Sequence, residues 1–512
     1  MNDIADKTGF QKYLLDPDQF TLTFELVPSR GGRSKEHIRI IDFAREAAAD
    51  HRVQAVSITE NAGGHPALSP EVLGTEILGM GLDVITHFSC KDKNRNQMES
   101  LLFAWDRIGL RNLLVITGDY PQAGFRGNPK PVFDLDCIHA LDLVGCMNKG
   151  MPLSCDIISG PGTIQQTSFF NGVALSPFKH LESELRLQYF KLHRKIAAGA
   201  DFVITQVGFD ARKFHEVKLY LQQEDLQIPV LGNVFIPNLP VVEHMYQGRV
   251  PGCIIPEALY NQIQQEAKDR DRGRKARLVR AAKLLAVLRG LNYAGAHIGG
   301  PGLNFKDIDF VLDQAALYYQ DWRACIKDLQ FWPAGAFYLF EHDADTGLNS
   351  TDATFINRSA AKKSFSYRAS HFFHNTMFSA DGLLYNPFKD LCLDLDRSRA
   401  SRALATFEHL IKFIAFNCRN CGDCTLAELA FLCPQSGCAK YLLNGPCGGS
   451  MDGWCEVYPG KKRCLYVRLY NRLKPEGKEQ VMKTGYIPPR NWSLHRTSSW
   501  INFFKGLDHT AK

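Results

Sequence analysis

The chain has 512 residues, of which 45% are hydrophobic and 22% are charged, and its formal net charge is +6. This composition is typical of a globular protein and argues against disorder. The basic excess is mild and spread along the chain, which suits an anionic ligand. Basic runs such as residues 269–277 alternate with acids and indicate solvated helix faces, so we expect no nucleic-acid binding.

The N-terminal stretch is polar and acidic, and no apolar segment of the sequence is long enough to cross a membrane. These features predict a cytoplasmic protein with no signal peptide and no membrane span. In that compartment the 15 cysteines are not expected to form disulfides.

Eight apolar runs rich in Val and Ile occupy the first 300 residues, and helical patterns such as residues 35–50 and 182–200 lie between most of them. Such runs are typical of strands that are buried on both faces and are therefore parallel. They cover residues 23–29, 55–60, 83–90, 113–119, 169–175, 202–209, 230–237 and 293–300. Residues 153–160 compete for the place of the fifth strand.

Eight strand–helix units within about 300 residues predict a (β/α)8 barrel. A doubly wound sheet is the rival fold, but no GxGxxG follows the first strand. We predict four parts in chain order. These are a barrel (residues 1–300), a helical connecting layer packed on it (301–410), a small cysteine-rich domain (411–475) and a C-terminal extension (476–512). Within the connecting layer, residues 343–364 are predicted to form a polar loop.

Polar residues stand where the predicted strands end, which is where barrel enzymes carry their reactive groups. They are Glu25, Thr59, Glu60, His87, Gly118, Asp119, Thr205, Gln206, His297, Gly299 and Gly300. Because Glu25 lies between Phe24 and Leu26, burial should raise its pKa and suit it to general acid catalysis. The alternative is a structural carboxylate paired with an arginine such as Arg30.

Two other members of this set have simple structural alternatives. His87 is expected to be a hydrogen-bonded core histidine unless a ligand uses it. Asp119 follows a glycine at a strand end, a position that often caps the next helix.

Eight cysteines fall between Cys418 and Cys464, whereas the other seven are scattered and are expected to be small buried side chains. Cys418, Cys421 and Cys424 form C-x2-C-x2-C, and Cys433 is followed by proline. This spacing is the ferredoxin manner of holding a [4Fe–4S] cluster, and zinc is the alternative. The remaining candidate ligands are Cys438, Cys447, Cys455 and Cys464. The count allows one cluster, two clusters, or one cluster and a zinc ion.

Four segments between about residues 20 and 300 resemble successive blocks of the methylenetetrahydrofolate reductase family. They are TFELVPSR (23–30), VSITENAGG (56–64), THFSCKDKNRNQMESLLFAWDRIGLRNLLVITGDYP (86–121) and KLHRKIAAGADFVITQVGFD (191–210). The family is a flavin-bearing (β/α)8 barrel that reduces 5,10-methylenetetrahydrofolate to 5-methyltetrahydrofolate. Residues 385–475 resemble the cysteine-rich C-terminal module of some of its members, which in acetogenic bacteria is a separate iron–sulfur subunit.

The resemblance implies roles for the matching residues. Glu25 would protonate the folate nitrogen, Gln206 would bind the pterin, and Asp119 would contact the pterin and tune the flavin. Thr59, His87 and Gly118 would lie against that flavin, which would be FAD or, alternatively, FMN.

The sequence therefore predicts a flavin-dependent reductase with a tetrahydrofolate-type substrate and a fused iron–sulfur module. Ferredoxin or a reductase subunit would supply electrons in place of a nicotinamide, and we expect a homo-oligomer. One alternative is a pterin-binding methyltransferase barrel, which would lack flavin. Another is a non-catalytic electron-transfer protein or a scaffold with structural zinc.

Overall fold

The computed structural model describes residues 8–151, 163–333, 335–354, 363–397 and 400–511. Eight parallel strands close into a barrel in chain order, and the last strand pairs with the first. The strands are β1 Thr21–Leu26, β2 Ala55–Ile58, β3 Asp83–Ser89, β4 Asn112–Ile116, β5 Phe170–Leu175, β6 Phe202–Thr205, β7 Val230–Phe235 and β8 Gly295–Gly299. The predicted (β/α)8 barrel is confirmed, and each strand overlaps its predicted run. The competing segment 153–160 lies outside the described residues.

Helices surround the strands, and several of them begin at a capping side chain. In the helix of residues 35–50, Ser34 Oγ accepts a hydrogen bond from His37 N, and Ile40, Phe43 and Ala47 face the core. The helices are α1 Gly9–Leu15, α2 Lys35–Asp50, α3 Pro70–Leu78, α4 Arg95–Arg107, α5 Cys137–Lys149, α6 Glu182–Ala197, α7 Ala211–Gln223, α8 Leu239–Tyr246, α9 Glu257–Glu266 and α10 Arg274–Gly290. A short 3₁₀ helix, Ala62–Gly64, follows β2.

The barrel interior is apolar at one end and polar at the other. Phe10 and Leu14 of α1 pack with Ile85, Leu114 and Leu231 in a buried cluster of their own. Because side chains alternate along a strand, residues two positions further along β3 and β7 also face inward, and there they are polar. The amino-terminal end of the barrel is thus plugged, and its carboxyl-terminal end carries the polar groups.

The segment after the barrel is only partly helical. It contains α11 Phe305–Tyr318, a 3₁₀ helix Trp322–Leu329, β9 Phe340–His342, β10 Asn349–Thr354, α12 Phe365–Met377, α13 Tyr385–Arg397 and α14 Ser401–Phe416. The predicted polar loop contributes β10, which pairs antiparallel with β9. The sequence did not predict this pairing, because the strand is held by a contact with a residue that is distant in the chain. Arg212 on α7 donates to Asn349 Oδ1 at 2.7 Å and accepts from Asn349 Nδ2 at 2.8 Å through its carbonyl oxygen.

The cysteine-rich segment and the C-terminus contain little regular structure. Their elements are α15 Pro434–Gly437, α16 Leu465–Leu473, α17 Ser499–Phe504 and 3₁₀ helices at Lys474–Glu476, Glu479–Met482 and Trp492–Leu494. We call residues 417–494 the module. Tyr466 and Tyr470 of α16 share one buried apolar cluster with Leu187 and Phe190 of α6, so the module is packed on the barrel. No helix in the described ranges is long and apolar enough to cross a membrane.

Candidate active site

A cavity of about 520 Å³ opens at the carboxyl ends of the barrel strands. Its wall includes Glu25 from β1, Gln206 after β6, Asn233 from β7 and His297 from β8. The neighbouring residues Phe24 and Leu26 belong to the apolar core shared with the helices and also contribute to the cavity wall. The alternation along β1 therefore turns the acid inward, toward the other polar side chains.

Glu25 is paired with His297, not with Arg30. His297 Nε2 lies 3.9 Å from Glu25 Oε2, which is an ion-pair distance, and 3.4 Å from Ser57 Oγ. Thr23 Oγ1 holds the other ring nitrogen, Nδ1, at 2.8 Å. β1 and β8 are neighbours in the closed barrel, with Thr23 paired to His297, so closure creates this contact.

The expected rise in the pKa of Glu25 is wrong. Burial on its own raises this pKa, but the interaction with His297, with a contribution from His87, outweighs burial and lowers it. The carboxyl side chain also keeps 27% of its surface exposed to the cavity. At neutral pH the free protein therefore holds an ionised Glu25 beside the imidazole.

Several buried polar atoms at this end of the barrel have no hydrogen-bond partner. They are Thr59 Oγ1, His87 Nε2, Ser89 Oγ and Asn233 Oδ1. His87 is therefore not a fully hydrogen-bonded core histidine, which was the structural alternative. Burial lowers its pKa to about 4, so its ring is neutral near pH 7. Each unsatisfied group costs about 1–3 kcal/mol, and a polar ligand would remove that cost.

Asp119 joins the loops that follow β2 and β4. Its Oδ2 accepts a hydrogen bond from Gly63 N at 2.8 Å. It is not a helix cap, because the next helix, α5, is capped by Asp136. Gly118 has a φ of +83°, and a Cβ there would lie 3.0 Å from Ser89 Cβ, so this turn favours glycine.

Gln206, Asp119 and Glu25 converge on the loop after α8. A Cβ added to Gly252 in this loop would lie 3.4 Å from Gln206 Nε2. The next residue, Cys253, is buried, and its pKa is raised to about 12 by burial and by the charges of Asp119 and Glu25. Glu25, Gln206 and Cys253 thus line one cavity, and the charge of Asp119 acts on the same thiol.

The eight cysteines of the module separate into two groups of four. Burial raises the pKa of Cys418 and of Cys421, and the thiols of Cys424 and Cys433 contribute to both shifts. The other group lines one small cavity and consists of Cys438, Cys447, Cys455 and Cys464. We call these groups the first quartet and the second quartet.

In neither quartet do three sulfur atoms lie as close together as the ligands of a single zinc ion would. Among the described residues, which include all eight of these cysteines, no three cysteine sulfurs lie within 4.8 Å of one another. Zn–S bonds of about 2.3 Å in a tetrahedron would place the sulfurs about 3.8 Å apart.

Buried polar contacts hold the module against the barrel. Lys179 and Lys191 donate to carbonyl oxygens of the module, at Ser450 (2.7 Å) and Pro446 (2.8 Å). Lys440 of the module donates to Gly118 O at 2.7 Å. The first of these lysines is fully buried, and the other two are nearly so. The second quartet therefore belongs to the part of the module that contacts the barrel opening.

Sequence reasoning missed Asn233, Cys253 and Lys440. Asn233 had a usable signal, because it is a polar residue inside an apolar strand, as Glu25 is. The other two lie in loops, and only the folded structure brings them to the opening. His297 was included among the strand-end residues, but its pairing with Glu25 was not predicted.

Fold and site together define a (β/α)8-barrel protein with a polar open end, against which an eight-cysteine module is packed. A family model described as methylenetetrahydrofolate reductase matches residues 11–290, which is more than half of the chain. The chain therefore belongs to the methylenetetrahydrofolate reductase family. A second model, described as methylene-tetrahydrofolate reductase C terminal, matches residues 398–493.

Curated relatives are similar over part of their length. The 5,10-methylenetetrahydrofolate reductase of Salmonella typhimurium is 24% identical over 38% of this chain and 57% of its own. Methylenetetrahydrofolate reductase 2 of Saccharomyces cerevisiae is 25% identical over 35% of this chain and 28% of its own. The match thus spans between about a quarter and about three fifths of each relative's length.

Among solved structures, a Clostridium thermocellum protein described as binding two copies of 5-methyl-5,6,7,8-tetrahydrofolic acid is 12% identical, with a TM-score of 0.40. The match covers 60% of this chain and 98% of that one. A likeness at this level carries no argument about the present chain.

Proposed function

We propose that this protein is a flavin-dependent oxidoreductase that interconverts 5,10-methylenetetrahydrofolate and 5-methyltetrahydrofolate, and that its module delivers the electrons. The observation that carries the proposal is the Glu25–His297 pair in a cavity at the open end of a barrel of this family. The names of the curated relatives support the choice of substrate.

The proton chemistry falls to Glu25. Opening the five-membered ring of the substrate leaves a nitrogen that must take up a proton, and a carboxylic acid can supply it. In the free protein Glu25 is ionised, since His297 lowers its pKa. A substrate that fills the cavity excludes water, and this desolvation raises the pKa of the carboxyl group. Glu25 then carries the proton that is transferred to the substrate nitrogen.

Substrate recognition is assigned to Gln206 and Asp119. An amide and a carboxylate offer the acceptors and donors that match the polar edge of a pterin ring. Asp119 is held in place by the hydrogen bond from Gly63 N, so its carboxylate is already oriented in the free protein.

A flavin fits the unsatisfied polar atoms at the barrel opening, and when bound it would supply the hydride. Thr59, His87, Gly118 and Asp119 would hold it. Thr59 Oγ1 and His87 Nε2 are buried without partners, and a flavin ring carries both hydrogen-bond donors and acceptors. Neutral His87 places no positive charge there at pH 7.

Each quartet is proposed to hold one [4Fe–4S] cluster. Four thiolates are the usual ligand set of such a cluster, and the C-x2-C-x2-C spacing of the first quartet is the ferredoxin pattern. Two clusters suit a one-electron protein carrier such as ferredoxin as the electron source.

The four-part domain organisation and the homo-oligomeric state remain predictions.

The test compares Glu25→Gln with Glu36→Gln, an exposed acid at the start of α2. The flavin of anaerobic protein is reduced with an artificial donor, 5,10-methylenetetrahydrofolate is added, and flavin reoxidation is followed by absorbance. We expect reoxidation in Glu25→Gln to be slower by about 10²–10⁴-fold with unchanged flavin content, and Glu36→Gln to match the wild type. Wild-type reoxidation in Glu25→Gln would refute its assignment as the proton donor.

A further inference from the structure

Lys440 links the second quartet to the open end of the barrel. Its side chain is buried, donates to Gly118 O at 2.7 Å and forms an ion pair with Glu456. Gly118 directly precedes Asp119 at the end of β4. A single ammonium group therefore contacts the loop that carries a predicted substrate-binding and flavin-binding residue.

The same ion pair forms part of the wall around the second quartet. Lys440 and Glu456 line the small cavity together with the four cysteines of that quartet. In sequence, Lys440 is two residues from Cys438, and Glu456 adjoins Cys455. Both side chains are almost completely buried, at 4% and 5% exposure, so their charges are poorly screened by solvent.

The packing leaves little freedom for this arrangement. A Cβ on Gly449 would lie only 1.1 Å from Glu456 Oε2, so a larger residue at this position would displace the carboxylate from its place beside Lys440. The next residue of this loop, Ser450, accepts a hydrogen bond from Lys179 of the barrel through its carbonyl oxygen. The ion pair is therefore fixed on both the module side and the barrel side.

The first quartet has its own cations. Arg490 Nη1 donates to Cys421 Sγ at 2.8 Å, and Lys412 Nζ lies 3.6 Å from Cys424 Sγ. The two quartets thus have separate charged neighbours, and a change at Lys440 should affect one quartet without affecting the other.

We propose that Lys440 is a positioning residue that sets the potential of the second-quartet cluster and holds it against the Gly118–Asp119 turn, so that electrons enter the barrel from this quartet. The inference rests on the proposed function. Reduction of one 5,10-methylenetetrahydrofolate takes up two electrons and two protons. A one-electron protein carrier supplies the electrons singly, each passing from the second quartet to the barrel.

The experiment uses two substitutions that change the charge in opposite directions. Lys440→Met removes a positive charge beside the cluster and should disfavour its reduction, whereas Glu456→Gln removes the counter-charge and should favour it. Lys461→Met makes the same change as Lys440→Met at an exposed lysine nearby. If one buried variant fails to fold, the other still tests the charge effect.

Midpoint potentials are measured by anaerobic redox titration with electron paramagnetic resonance, and the signals are assigned with Cys421→Ser and Cys455→Ser. We expect Lys440→Met to lower the equilibrium constant for reduction of the second-quartet cluster about tenfold, which lowers its midpoint potential by about 59 mV. Glu456→Gln should raise this potential. Lys461→Met and the first-quartet potential should not change. Shifts of the same sign in both variants, or none in either, would overturn the inference.

Electron entry is tested separately by rapid mixing of reduced protein with 5,10-methylenetetrahydrofolate. Cys421→Ser should still pass electrons from its remaining cluster to the barrel, and Cys455→Ser should not. The opposite result would place the entry point at the first quartet and overturn the inference alone. Iron-free wild-type protein would overturn both the two-cluster proposal and this inference.

Discussion

Asp136→Asn should loosen the module from the barrel while leaving α5 capped. Asp136 Oδ1 accepts hydrogen bonds from Ile138 N (2.9 Å) and His139 N (3.2 Å) at the start of α5. Its Oδ2 accepts from Leu443 N (3.1 Å) and Asn444 N (2.8 Å) of the module. Asparagine is a good helix cap, but it has one acceptor oxygen and cannot serve both sides.

The pKa of Asp136 shows how much its interactions contribute to the free energy of unfolding. Burial on its own raises this pKa, but His139, Lys191 and the backbone of Asn444 outweigh burial and lower it from 3.8 to about 2. A lowering of nearly two pKa units corresponds to about 2 kcal/mol in favour of the folded state. This stabilisation is fully present above pH 3.8 and is lost as the pH falls through about 2. At pH 7 the substitution should therefore cost about 2 kcal/mol.

Hydrogen exchange of the Leu443 and Asn444 amides measures the effect locally. A loss of about 2 kcal/mol should raise their exchange rates about 30-fold at pH 7. Asp210→Asn is the matched control, because Asp210 is also a buried helix cap, at α7, but burial raises its pKa. The control should leave exchange at these two amides unchanged. Wild-type exchange rates in Asp136→Asn would show that Asp136 does not hold the module against the barrel.

Three further predictions concern His87, Asp119 and the cysteines of the two quartets. The pKa of His87 is about 4 in the folded protein and ordinarily 6.5, so its contribution to the free energy of unfolding should fall by about 3 kcal/mol as the pH is lowered from 6.5 to 4. Denaturant titrations of His87→Asn should lack this pH-dependent contribution. A variant with the pH profile of the wild type would contradict the lowered pKa. Asp119→Asn should slow both flavin reduction and folate reduction, measured as separate half-reactions. If the variant only folds less well and its two half-reactions are unchanged, the assignment of Asp119 to the site is wrong. Cys421→Ser and Cys455→Ser should each lose about half of the iron in anaerobic protein, whereas Cys146→Ser, at an exposed thiol outside the quartets, should lose none; equal iron in all three would refute the two-quartet assignment.

The sequence predicted the strands because each is a continuous apolar run, and it predicted Glu25 because an acid interrupts one of these runs. It did not predict the partner of Glu25. That partner, His297, lies 272 positions later in the chain and meets it only because β8 pairs with β1. The pKa expectation failed for the same reason, since flanking residues indicate burial but do not reveal a charge across the barrel.

The cysteines show a similar limit. The tight spacing of Cys418, Cys421 and Cys424 was visible as a motif, but the cysteines of the second quartet are too widely spaced to be grouped from the sequence. Contacts between the module and the barrel, such as that of Asp136 with Asn444, could not be predicted from the sequence either. The side chain of Asp136 both caps a helix and binds a loop that is distant in the chain.

The central claim is that a flavin barrel is fed by two iron–sulfur clusters. The most direct measurement is the iron, sulfide, zinc and flavin content of protein purified without oxygen, together with its absorbance spectrum. We expect about eight iron atoms and one flavin per chain, with flavin absorbance at about 450 nm and a broad shoulder at about 400 nm. Stoichiometric zinc without iron, or the absence of flavin, would contradict it.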